Sequence, residues 1–160
     1  MIAGPGVPTA ASTAAMSENI DLAKTFEAIG GTEMPSDGHS LLPVMAVGGE
    51  IPFDWRNAIL VEHHGPDLDD GGDTDPDSQD RLSGNPPSYE AMRTPNYIYL
   101  EYRDDEREFY DLRNDPFELH NVVSRLSATQ LAQLHDELTG LENCHTGDAC
   151  WAAGHVAPTP

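Results

Sequence analysis

Positive charge is scarce in this 160-residue chain: eight Lys and Arg stand against 28 Asp and Glu, for a formal net charge of −20. A nucleic-acid binder needs a basic footprint to displace counterions from phosphate, and none is present. The same balance excludes an anionic membrane surface as a partner. Long apolar runs are missing too, none approaching the roughly 20 residues a membrane helix needs. No Gly-rich phosphate loop and no nucleophile elbow occurs. Residues 1–16 hold no Lys or Arg, and Gly4, Pro5, Gly6 and Pro8 interrupt any apolar core, so no signal peptide is expected. Cysteine is limited to Cys144 and Cys150, with five residues between them. Three readings of that pair stay open. A disulfide would imply an oxidising compartment; free thiols are the second; a metal site with His145 or His155 is the third, at a spacing that fits no zinc pattern.

What is present is a 38% hydrophobic fraction and a length suited to one domain or slightly more. Asn19 to Ile29 predicts a short helix, with Asn19 as N-cap and Asp21 matched to the helix dipole. Leu22, Phe26 and Ile29 recur at helical spacing on one face, and Gly30 and Gly31 supply the stop. Ala58 to Val61 predicts a buried strand. Seven aspartates and no basic residue then fill Asp67 to Asp80, which predicts a solvated, flexible loop over 67–84.

Beyond that loop, Tyr89 to Thr94 and Tyr97 to Tyr102 read as two strands joined at Pro95-Asn96. Asp104 and Asp105 mark a turn into a third, Glu108 to Leu112. Ser127 and Gln130 form a capping box for a helix whose stripe is Leu131, Leu134, Leu138 and Leu141. Residues from Trp151 to Pro160 read as a loose tail. The expected fold class is α+β: an antiparallel sheet of about four strands packed against a long C-terminal helix.

Candidate chemistry is thin. Asp73, Asp75 and Asp77 alternate as in a calcium loop, but Ser78 and Gly84 stand where that loop needs Gly and Glu, so a solvated loop is the better reading. His63 and His64 follow the first strand; alternate strand neighbours face opposite ways, so a structural or surface role is weighed against a substrate-facing loop. The tyrosines, Tyr89 included, fit sheet packing better than stacking on bases or sugars. No residue is expected to be catalytic and none to bind a metal, and no cofactor is expected in this chain.

Five stretches in order resemble the sulfatase family. Ser17 to Ala23 with Thr25-Phe26 resembles its "NIDLAPT" helix, and Gly4 to Pro8 the loop before it. Gly38 to Pro43 resembles "GRSLLP", Trp55 to Ala58 resembles "WR-x-A", and Arg107 to Asn121 resembles "ELYDLxxDPxExxN". Val61 to Gly65, Pro86 to Glu90 and the ending Glu142 to Trp151 are similar to bacterial arylsulfatase-like members. Lys24 departs from the usual Pro and His39 from the usual Arg.

The resemblance implies sulfate-ester hydrolysis in the parent enzyme, with a formylglycine made in a C/S-x-P-x-R motif and a calcium ion. Neither Cys144 nor Cys150 starts that motif, so no catalytic or metal residue carries over. The matched stretches imply the end of an alkaline-phosphatase-like α/β domain over 1–50, a C-terminal subdomain over 51–151, and a disordered tail over 152–160. On this reading Met1 is an internal, mis-assigned or truncated start. The parent is often periplasmic or secreted, which agrees with a Cys144–Cys150 disulfide. The expected partners are the missing N-terminal catalytic domain and, in the parent, a sulfate ester, with no nucleic acid and no membrane. His63, His64 and Tyr89 are the substrate-facing candidates, as recognition groups. The alternative is a free-standing acidic module that pairs with a separate catalytic chain.

Overall fold

The computed structural model describes residues 2–46, 48, 50–64 and 86–157. The aspartate-rich loop, with Asp73, Asp75 and Asp77, lies outside the described residues, as do residues 158–160. The chain forms two compact units, one from residues 1–59 with 139–158 and the other from residues 60–138.

In the second unit the sheet is antiparallel and runs in the order β1 (Ile59–His63), β2 (Tyr89–Arg93), β3 (Tyr97–Tyr102), β4 (Arg107–Asp111). β1 is half-buried rather than buried as expected, with Glu62 turned out. The β2–β3 turn is held by Thr94, whose hydroxyl accepts from the Asn96 and Tyr97 N–H groups. The β3–β4 turn places Asp105 at φ +68, a left-handed backbone that Asp tolerates better than most residues. Opposite Tyr97 at the end of β4, hydrogen bonds from Arg113 hold the Asp111 carboxyl below its ordinary range.

Both faces of this sheet are buried, which simple alternation does not announce. One carries Ala91, Ile98 and Leu100, with Val61, Tyr89, Tyr110 and Leu112 packed around them. The other carries Met92, Tyr97, Tyr99 and Phe109. α1 (Ile20–Gly30) and α2 (Leu42–Ala46) belong to the first unit, and the helix of the capping box is α3 (Ala128–Glu142). The Ser127 N–H donates to Gln130 Oε1 at 2.8 Å and the Gln130 N–H returns to Ser127 Oγ at 3.3 Å. His135 Nδ1 sits 3.0 Å from a Glu101 carboxylate oxygen, tying α3 to the Tyr97–Tyr99 face. Burial lifts the Tyr97 and Tyr99 hydroxyls well above their ordinary pKa, with Glu137 adding at Tyr97 and Glu101 at Tyr99.

The first unit holds α1 (Ile20–Gly30), α2 (Leu42–Ala46) and α4 (Gly147–Ala153). α1 ends as expected, Gly31 at φ +65 donating its N–H to Glu27 O. α4 corrects the expectation of a loose tail from Trp151. Thr146 Oγ1 caps the Ala149 N–H at 3.2 Å, Asp148 sits in the first turn, and Trp151 to Ala153 complete the helix. Val156 is buried, and its N–H donates to Asn57 Oδ1 at 2.9 Å. Cys144 and Cys150 form a disulfide across the start of α4. Cys150→Ser is expected to lower stability by about 2 kcal/mol, the loop-closure term for so short a ring. Melts of the oxidised chain with and without reductant test this; coincident midpoints would show that the bond contributes nothing.

Candidate functional site

β1 ends at His63, β2 begins at Tyr89, and these two candidates meet. Their rings stack at 5.3 Å between centroids, and Tyr89 meets Tyr102 edge-on at 5.6 Å. His63 Nε2 lies 3.3 Å from the Pro86 carbonyl, a contact in which the imidazole N–H donates and thereby fixes the tautomer. His64 follows the strand and is exposed; among the described residues its ring is not part of the stack. The row His63–Tyr89–Tyr102 therefore crosses three strands on one face of the sheet. Burial raises the Tyr102 hydroxyl pKa, with Glu108 adding to it. Tyr110 is pushed up to about 12 by burial and by its bond to Glu108. Raised in this way, the Tyr102 and Tyr110 phenols are neutral at physiological pH, and they offer ring faces and O–H groups rather than phenolates.

A second constellation lies in the first unit, and sequence reasoning missed it. Asp21, expected only to complement the helix dipole, is fully buried. It is paired with Arg56 Nη2 and accepts from the Glu18 and His39 backbone N–H groups, each at 2.8 Å. Arg56 reaches Glu18 through Nη1 at 2.7 Å and donates from Nε to Met16 O at 3.1 Å. Trp55 also donates its indole N–H to Met16 O. Trp151 closes the cluster, stacked on His39 at 3.7 Å and edge-on to Trp55 at 5.0 Å. Burial, with Arg56 adding to it, pushes the His39 imidazole below its ordinary value, so the ring is neutral at pH 7. Every carboxylate oxygen of Asp21 is engaged, which makes this a structural clasp rather than a reactive centre. Gly38 is part of it: a Cβ there would sit 2.4 Å from the Ile20 carbonyl oxygen, so only Gly lets the chain pass the start of α1.

The resident groups implied by the resemblance do not fit these residues. Both thiols are consumed in the disulfide, and no Cys or Ser of the sequence stands two residues before a Pro as the C/S-x-P-x-R motif requires. Among the described residues no group of three His, Cys, Asp or Glu side chains is placed to hold a metal. No helix of the described residues is long and apolar enough to cross a membrane.

No protein-family model matches the chain. It is similar to the N-acetylglucosamine-6-sulfatases of Bos taurus and Homo sapiens, 28% identical over 177 residues to each. Those matches cover 99% of this chain and 31% and 32% of the relatives. The N-acetylglucosamine-6-O-sulfatase of Bacteroides thetaiotaomicron is 28% identical over 123 residues, covering 74% of this chain and 20% of that protein. A solved structure of a protein in complex with its substrate D-glucosamine-2-N,6-O-disulfate superposes with a TM-score of 0.63 at 26% identity, over 83% of this chain and 25% of that one. The phosphonate monoester hydrolase of Agrobacterium radiobacter superposes with a TM-score of 0.52 at 26% identity, over 76% of this chain and 23% of the other. The chain thus spans less than a third of the curated relatives it matches.

Proposed function

Because this chain is similar to sulfatases in both sequence and fold, we propose that it is the C-terminal segment of such an enzyme and forms a non-catalytic wall of its substrate cleft. One observation carries the reading: the match takes in 99% of this chain and only 31% of the relative. Residues 1–50 would then complete the α/β catalytic domain and 51–151 would form the C-terminal subdomain. Calcium and formylglycine would belong to the part of the enzyme this chain does not span. Such a parent would work in the periplasm or outside the cell.

The substrate class we infer is a sulfate ester of an amino sugar, from what the relatives are named for. A pyranose offers apolar C–H faces and a polar edge. The stacked His63 and Tyr89 rings present a flat surface to the first, and imidazole N–H groups suit the second. In a full-length parent, His64→Ala is expected to raise KM by roughly threefold to tenfold, or to change substrate choice, with kcat little altered. Unchanged kinetics across several aryl and sugar sulfates would sink this role.

The exposed apolar face of α1 favours a second reading, a free-standing module that associates with a separate catalytic chain. Size-exclusion chromatography separates the two. Aggregation with a weakly cooperative melt marks a segment cut from a larger protein, and a stable heteromer marks a module.

A further inference from the structure

We infer that the outward face of α1 is the seat for the part of the sulfatase that this chain does not span, an inference resting on the family reading above. α1 is inside out. Its buried residues are Asp21, Thr25 and Glu27, while Phe26 is 66% and Ile29 67% exposed. Leu22 stands on the same stripe at 38%. Residues 2–7 and α2 join that stripe in a groove of about 790 Å³, lined by Ile2, Val7, Leu22, Phe26, Ile29 and Met45 among others.

Two features decide what fits. The lining holds no charged side chain, in a chain whose net charge is −20. Its one polar side chain is Thr25, whose hydroxyl donates to Asp21 O and accepts from the Leu41 N–H. A sulfated sugar, a basic peptide or a polar metabolite would find no charged side chain and no unengaged polar side chain there. The occupant is therefore an apolar surface, a helix or strand face with bulky side chains. A second copy of this chain fits poorly, because a two-fold interface must complement itself and two concave grooves do not. The relatives are about three times as long as the stretch matched here, and that unmatched length supplies the occupant.

The test compares the wild-type chain with the double variant Phe26→Asp/Ile29→Asp. It is done on the isolated 160-residue chain, and on a hybrid in which this chain replaces the matched segment of the Bacteroides relative. In isolation the wild type is expected to bind a hydrophobic dye and to self-associate without a defined size. The double variant should lower dye binding several-fold and leave the melt unchanged, because neither side chain is packed. In the hybrid the same substitutions should cut soluble yield by at least about tenfold. Three results overturn the inference: a lower melting point for the isolated double variant, a discrete dimer that the substitutions abolish, or equal soluble yields of the two hybrids. Yield and dye binding do not depend on turnover, so a failure here leaves the cleft role of His64 to its own kinetic test.

Discussion

Arg56→Ala is expected to destabilise the first unit by about 3–5 kcal/mol. The size follows from what is left behind. Asp21 is fully buried and Arg56 is 4% exposed, so neither charge has water to fall back on. With the guanidinium gone, Asp21 keeps its two backbone donors but loses its counter-charge, and Glu18 and Met16 O each lose the bond that Arg56 gave them. The penalty belongs to the orphaned carboxylate rather than to the pair as such. Adding Asp21→Asn to Arg56→Ala is therefore expected to restore a good part of the loss. Urea titrations of the wild type, both single variants and the double variant, followed by far-UV circular dichroism, give the four free energies. Strictly additive effects would mean that the clasp carries no coupling, and the account given for it would fail.

Leu134→Ala is expected to cost about 2–5 kcal/mol, through the cavity it leaves. Leu134 has no exposed surface, and Leu138, one turn on, is buried beside it on the same stripe. The facing sheet side carries Tyr97 and Tyr99, both fully buried, and Tyr97 is stacked on Phe109 at 5.3 Å. Rings held this way cannot swing into the void, which places the cost in the upper part of the range. Phe26→Ala supplies the contrast within one chain: a larger side chain is removed, yet almost nothing is lost in the isolated protein because that ring already faces water. Urea titration checks both. A loss below about 1 kcal/mol for Leu134→Ala would show that α3 is loosely seated.

The elements legible in the sequence are those whose signals are local. The capping box at Ser127 and Gln130, the turn at Pro95-Asn96 and the leucine stripe each lie within a few residues of the structure they set, and β2, β3, β4 and α3 follow. The stripe on α1 was equally legible, but its direction was not. Which face a helix buries depends on what the chain offers elsewhere, and the decisive partner of Asp21 is Arg56, thirty-five residues away. α4 was missed although its cap was visible at Thr146 with Asp148 behind it; seven residues with Gly at the first position give periodicity little to work on. Of the site candidates, the meeting of His63 with Tyr89 depended on strand order, which no single stretch of sequence reveals.

The partition of aromatic residues between the two units gives the chain its own optical labels. Both tryptophans, Trp55 and Trp151, sit in the first unit, while all five tyrosines lie in the second. Indole emission therefore reports on the clasp around Arg56, and the phenol absorption bands report on the sheet, with no dye or engineered probe. Coincident denaturation curves from the two signals would mean one cooperative transition; separated curves would resolve the order in which the units let go.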